Sequence, residues 1–136
     1  MMLMLTTSDN TASLWLQSLA GKGTRINEIL DSLGLVYTRV NSRTQGRENN
    51  RTQYGWGQTT PKEMGIIFEK IYRNEIFSAA ACDRMMRSLG RNYWDLNEAI
   101  SQIPPYVEVF SKNGCVNAVR SEVLLVNAPS NPYIFC

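Results

Sequence analysis

Histidine is absent from this 136-residue chain, and several kinds of active site are excluded with it. Neither a Ser-His-Asp nor a Cys-His catalytic set can be built, so acid–base chemistry is left to carboxylates, lysines, tyrosines and serines. The three cysteines, Cys82, Cys115 and Cys136, are an odd number without C-x-x-C spacing. They predict neither a disulfide framework nor a metal knuckle, and we expect no metal and no cofactor.

An excess of charge of one sign is also lacking. The chain has 14 Lys and Arg against 12 Asp and Glu, a net charge of +2. This is too small to indicate a nucleic acid or an acidic membrane as the partner. With 43% apolar and 19% charged residues, the composition is that of an ordinary globular domain. No apolar run is long enough to predict a membrane span.

Both ends of the sequence are apolar. Residues 1–5 lack the basic flank of a targeting segment, so they are predicted to be the end of a buried helix. Residues 133–136 have the composition of a strand. Because a complete domain usually ends in polar, poorly ordered residues, we expect this sequence to be an internal piece of a longer fold. Exposed sheet edges in such a piece would favour a homodimer or a domain swap.

Residues 1–103 are predicted to be mainly helical. One helix begins near Asn10, with Ser8 or Asp9 as alternative caps, and a second runs from Thr24 to a left-handed Gly34. Residues 38–58 are polar, without periodicity, and resemble a functional loop. Thr60-Pro61-Lys62-Glu63 is typical of a capped helix start.

Residues 104–136 are predicted to form antiparallel strands, over 107–110, 119–126 and 132–136, with a turn at Asn113-Gly114. The fold class is therefore α/β in the broad sense, or α+β. Taken alone, Ser8-Asp9-Asn10 needs no more function than a helix cap, and Lys112-Asn113-Gly114 no more than a hairpin turn. The order and spacing of these weak signals carry more information than each of them separately.

In that order the chain resembles the class A serine β-lactamases and the related penicillin-recognising peptidases, whose signature is Ser-x-x-Lys, Ser-Asp-Asn and Lys-Thr-Gly. The resemblance covers nearly all 136 residues, as the internal to C-terminal part of that fold. It implies that Ser8 relays a proton, and that Asn10 binds the substrate amide. It also implies that Lys112 places a positive charge beside the substrate carboxylate. Gly114 would keep the strand clear, and Arg120 would give a second contact to the carboxylate.

The chain also departs from this family at three points. No serine is followed by lysine three residues later, so the nucleophile motif is not in this sequence. Counted from Arg39, which matches the arginine that opens the family's omega loop, the deacylating glutamate position falls at Thr44. Glu48 is then the possible loop base. Asn113 stands where the family has a threonine, which replaces a hydroxyl by an amide that would contact the substrate carboxylate.

Three functions remain open at this stage. The first is a β-lactamase-related serine hydrolase that acts on β-lactams or peptide amides through an acyl-enzyme, with this chain alone inactive. The second is a D-Ala-D-Ala peptidase or esterase that binds penicillin and releases it slowly. The third is a non-catalytic fragment that binds peptidoglycan or another partner. The resemblance implies a periplasmic or other extracytoplasmic location.

Overall fold

A computed structural model describes residues 1–90, 92–93, 96 and 98–136. The chain divides into two compact units, one made of Met1–Asp9 with Gly65–Cys136 and the other of Asn10–Met64. The helices are α1 Met2–Thr6, α2 Asn10–Leu19, α3 Lys22–Ser32, α4 Glu48–Tyr54, α5 Pro61–Tyr72 and α6 Ala79–Leu89, with a short 3₁₀ helix at Ala99–Gln102. The strands are β1 Arg39–Val40, β2 Gly57–Gln58, β3 Glu108–Val116, β4 Val119–Asn127 and β5 Tyr133–Phe135.

The three-stranded sheet has the order β3-β4-β5, and both pairs are antiparallel. Four consecutive residues of β4, Val123 to Val126, are buried. A continuous apolar run in a strand means that both faces of the sheet are covered. Side chains from α5 and α6, including Phe68, Ile71 and Leu89, are buried in the same unit.

The predicted turn at Asn113-Gly114 is wrong. The pairing between β3 and β4 continues past these residues, with Asn113 opposite Glu122 and Gly114 opposite Ser121. The hairpin closes four residues later, at residues 117–118, because β3 ends at Val116 and β4 begins at Val119. An Asn-Gly pair favours a turn by its local geometry. Here the residues on both sides of the pair extend the β3–β4 ladder, so the turn forms farther along the chain.

The apolar N-terminal residues form a helix as predicted, but that helix is not buried. None of the residues of α1 is buried, and Leu3 is 63% exposed. The prediction of a buried helix end is therefore corrected. Among the described residues, no helix has the length and apolar character needed to cross a membrane.

The unit Asn10–Met64 contains α2, α3, α4 and the two-stranded pairing of β1 with β2. The residue before α3 is Gly21, with a φ of 86°, so Thr24 lies inside the helix rather than at its cap. Gly34 has a φ of 75°, as predicted for the residue after a helix. Residues 38–58 are not structureless, since they contain β1, β2 and the two turns of α4.

Candidate functional site

Ser8 lies just after α1 in a strained backbone conformation. Its φ is 54°, in the left-handed region that costs a residue other than glycine about 1–2 kcal/mol. The next residue is held in place, because the N–H of Asp9 donates to the carbonyl of Leu3 over 3.2 Å. Strain of this kind persists only where the surrounding structure imposes it, and it is concentrated at functional sites.

Lys112, on β3, is in hydrogen-bond contact with this serine. Its Nζ donates to Oγ of Ser8, which lies 104 residues earlier in the sequence. The same Nζ donates to the backbone oxygen of Asn113 over 2.7 Å and to its Oδ1 over 3.1 Å. Burial lowers the pKa of Lys112, because desolvation disfavours the charged ammonium. The structure thus brings together the two residues that the sequence singled out as catalytic candidates.

The side-chain amide of Asn113 links Lys112 to an acid that the sequence did not indicate. Its Nδ2 donates to Oε1 of Glu98 over 3.4 Å, while its Oδ1 accepts from Lys112. The Glu98 side chain is only 14% exposed. Because Glu98 precedes the 3₁₀ helix in a stretch without a recognisable motif, no sequence signal pointed to it.

Arg120 reaches the same acid from β4. Its guanidinium lies 3.9 Å from Oε1 of Glu98, and its side chain is 70% exposed. In the β3–β4 pairing Arg120 is opposite Cys115, whereas the residue opposite Asn113 is Glu122. Glu122 accepts a hydrogen bond from the N–H of Ala99 over 2.8 Å. Two acids therefore lie among the residues predicted to bind an anion.

A side chain at position 114 would come close to the neighbouring strand β4. A methyl group there would lie 2.9 Å from Oγ of Ser121, its partner on β4. The strand β3 forms one edge of the three-stranded sheet, and Gly114 is exposed on it. A glycine at an edge allows another backbone to approach closely, and the role of Gly114 beside a substrate stays a prediction.

Asn10 is the first residue of α2 and is exposed. It belongs to the unit Asn10–Met64, and its role in substrate binding stays a prediction.

Thr44, which takes the family's glutamate position, has its hydroxyl committed to the backbone. The residue is 8% exposed, and its Oγ1 lies 3.0 Å from the carbonyl oxygen of Val40 and 3.1 Å from that of Ser42. Glu48 is the first residue of α4, is exposed, and accepts from the N–H of Gly46 over 3.2 Å. This contact resembles a helix cap, and the role of Glu48 as a loop base stays a prediction.

The polar segment 38–58 is held together by buried side-chain hydrogen bonds. Asn41 is 1% exposed, and its Oδ1 accepts from Nε of Arg47 over 2.7 Å. Its Nδ2 donates to the carbonyl of Gly55 over 3.2 Å, and Arg47 also donates to Oε1 of Gln58 over 3.1 Å. Each of these buried polar atoms has a hydrogen-bond partner. The network therefore fixes the conformation of the segment without an apolar core.

Glu63 is a buried acid whose carboxylate is fully engaged. It is 6% exposed and accepts from the N–H groups of Val36 and Tyr37 and from both the N–H and the hydroxyl of Thr38. Burial alone would raise the pKa of Glu63. The hydrogen bonds from the Thr38 hydroxyl and from the three backbone N–H groups outweigh burial, and they lower this pKa to about 2.

The capping box predicted at Thr60 is half formed. The N–H of Glu63 donates to Oγ1 of Thr60 over 3.3 Å, as such a box requires. The carboxylate of Glu63 binds the backbone before β1 instead of returning to the N–H of Thr60.

In the described part of the chain, no group of three Asp, Glu or Cys residues is placed to hold a metal ion.

Comparison with known proteins identifies the family and the fold of the chain. A family model described as the beta-lactamase enzyme family matches residues 1–136. No curated protein matches the sequence.

Among solved structures, the chain is similar to a class A beta-lactamase from Bacteroides cellulosilyticus, with 17% identity and a TM-score of 0.81, covering 98% of this chain and 50% of that one. A class A beta-lactamase from Mycobacterium abscessus gives 21% identity, a TM-score of 0.82 and coverage of 98% and 51%. PBP-A gives 22% identity, a TM-score of 0.81 and coverage of 98% and 48%. The predicted fold is confirmed, and the chain spans about half the length of these structures.

Proposed function

The chain belongs to the beta-lactamase enzyme family, and on this premise we propose that it supplies part of the active site of a serine hydrolase. The reaction is hydrolysis of a β-lactam or peptide amide through an acyl-enzyme. The observation that supports it is the hydrogen bond from Nζ of Lys112 to Oγ of Ser8. The bond joins the hydroxyl of Ser8, just after α1, to the ammonium of Lys112 on β3, whose pKa is lowered.

The pair can move a proton to the leaving group. When the scissile C–N bond breaks, the nitrogen takes the proton of the Ser8 hydroxyl, and Oγ regains one from the attacking hydroxyl. The ammonium of Lys112 stabilises the negative charge that develops on Oγ during the exchange. The attacking hydroxyl belongs to a Ser-x-x-Lys serine, which this sequence does not contain.

The exposed edge of β3 suits a substrate that lies beside the strand. Gly114 removes the side chain that would obstruct the approach, and backbone groups of an edge strand can pair with an amide. In this proposal Asn10 binds the substrate amide, as the family resemblance implies. Asn113 and Arg120 are further substrate-binding residues of the same proposal. An extracytoplasmic location belongs to the same proposal, since the family resemblance implies it.

A second candidate is a penicillin-binding peptidase with slow deacylation. The observation that favours it is the Thr44 hydroxyl, which is buried and bound to two carbonyls, so it cannot activate a water as a carboxylate does. A mutant of PBP-A has been solved as an acyl-enzyme complex with penicillin G. A third candidate, a non-catalytic binder of peptidoglycan, is favoured by the lack of Ser-x-x-Lys in this sequence.

The test uses the complete gene product that contains this sequence, with a fluorescent penicillin and a chromogenic cephalosporin. Turnover of the cephalosporin supports the lactamase, and stable labelling without turnover supports the peptidase. In either case Lys112→Ala should slow the reaction at least about 100-fold, the range of general acid–base effects. The matched control is Lys62→Ala, an exposed lysine at the start of α5 that should leave the rate unchanged. Absence of both signals would leave only the non-catalytic binder.

A further inference from the structure

The donors predicted to bind a substrate carboxylate are already in contact with a carboxylate of the chain itself. Asn113 Nδ2 lies 3.4 Å from Oε1 of Glu98, and a guanidinium nitrogen of Arg120 lies 3.9 Å from the same oxygen. One oxygen atom therefore faces both donors. The Glu98 side chain is 14% exposed, so it is a partly buried member of the site rather than a solvated surface acid.

Acids and bases are mixed among the described residues around these donors. Lys112 and Arg120 are basic, and Glu98 and Glu122 are acidic. Lys112 donates to Oδ1 of Asn113, which leaves the Nδ2 end of that amide for Glu98. A free carboxylate that approaches Asn113 finds the Nδ2 donor occupied by Glu98. It also meets the negative charge of Glu98, which opposes its approach at short range.

We infer that Glu98 is a specificity-determining residue that occupies the anion position of the site and selects against substrates with a carboxylate there. The favoured substrates carry an uncharged amide or ester, or a cationic group, at that position. A carboxylate substrate binds only when the Glu98 side chain is displaced from Asn113 and Arg120. This inference rests on the proposed function for its substrate class, but the occupation of the donors is tested without turnover.

The first test is a titration of the 136-residue chain with acetate, followed by NMR at the backbone N–H groups of Asn113 and Arg120. Glu98→Gln keeps the size of the side chain and removes its charge. We expect this variant to gain saturable acetate binding, at least about tenfold tighter than the wild type, because it frees a charge-assisted contact. Acetamide, the uncharged isostere, should show no such difference between the two proteins.

Two further variants define the site. Glu108→Gln changes an exposed acid at the other end of β3, and it should gain nothing. Arg120→Gln combined with Glu98→Gln should lose the acetate binding that the single variant gained. The inference is overturned if Glu98→Gln shows no gain, or if Glu108→Gln shows the same gain.

The second test uses the complete gene product with benzylpenicillin and its methyl ester. Glu98→Gln should lower the KM for benzylpenicillin, leave kcat unchanged, and leave both constants for the ester unchanged. Equal effects on acid and ester would contradict the inference. If neither compound reacts with any variant, the proposed function fails, and the acetate titration still decides the role of Glu98.

Discussion

A methyl group on Gly23 would lie 1.7 Å from Oγ1 of Thr44. The same methyl would lie 3.1 Å from the carbonyl oxygen of Ser42, so backbone and side chain both limit the space. Gly23 is inside α3, where glycine is a poor helix former. The close approach between α3 and the polar segment explains why glycine occupies this helical position.

Gly23→Ala should therefore destabilise the protein. The clash with Thr44 costs about 1–3 kcal/mol, as in other overpacked sites, and the better helix propensity of alanine returns part of it. The measurement is the free energy of unfolding from urea denaturation. In a Thr44→Gly background only the contact of the added methyl with the Ser42 carbonyl at 3.1 Å remains, so the same substitution should cost clearly less stability.

Gly65→Ala is the matched control for that experiment. Gly65 is inside α5, and a methyl group there would meet nothing nearer than Sγ of Cys136 at 3.9 Å. This variant should be more stable than the wild type by up to about 1 kcal/mol, the helix-propensity difference. Equal effects at Gly23 and Gly65 would contradict the packing explanation.

The stability of the fold should fall in acid because of Glu63. Its pKa is lowered from 4.5 to about 2 in the folded state, so its ionised form favours folding. The contribution, roughly 3 kcal/mol, is complete above pH 4.5 and is lost as the pH falls from there towards 2. Glu63→Gln should remove this pH dependence and lower the stability at pH 7. Urea midpoints measured at pH 7 and pH 3 check both effects.

Glu69→Gln is the comparison for that series. Glu69 lies on the same helix, is exposed, and pairs with Arg73 over 2.9 Å. Exposed pairs of this kind contribute about 0.3–0.5 kcal/mol. A difference between pH 7 and pH 3 that survives in Glu63→Gln but disappears in Glu69→Gln would show that another acid is responsible.

Much of the fold could be predicted from local patterns. The helix that begins at Asn10 and the left-handed Gly34 both follow from local residue patterns. The turn at Asn113-Gly114 was wrong because local preference competes with a ladder of nine paired residues in each strand. Pairing over that length is a tertiary property that a two-residue signal does not contain.

The candidate site divides in the same way. Ser8 and Lys112 could be singled out because their spacing matches a family signature, and the structure places them in contact. Glu98 could not, because its contact with Asn113 depends on how the 3₁₀ helix meets the sheet. Glu63 was predicted as half of a capping box. Its carboxylate instead accepts hydrogen bonds from three backbone N–H groups that are distant in sequence.

The pH dependence of penicillin labelling should report on Lys112. If the ammonium is the active form, the labelling rate falls as Lys112 loses its proton, and the lowered pKa places this fall below pH 10.5. Lys112→Arg should remove the alkaline fall, since a guanidinium stays protonated. A fall that persists in Lys112→Arg would assign it to another group.

The same lysine should weaken the fold that holds it. A lysine whose pKa is lowered on folding destabilises the protein while it is charged. This cost begins to fall as the pH rises through the folded-state pKa and is gone above about 10.5, the ordinary lysine pKa. Lys112→Met should therefore be at least as stable as the wild type at pH 7 by urea denaturation, although labelling is lost. A marked loss of stability would instead give Lys112 a structural role.

Ser8 allows strain and chemistry to be separated by two substitutions. Ser8→Ala and Ser8→Gly both remove the hydroxyl that contacts Lys112, so both should slow labelling by at least about 100-fold. Only glycine relieves a φ of 54°, so Ser8→Gly should be more stable than Ser8→Ala by about 1 kcal/mol. Equal stability of the two variants would show that the left-handed conformation costs nothing here. A gain in stability with a loss of labelling would mean that the strain at Ser8 is retained for its hydroxyl.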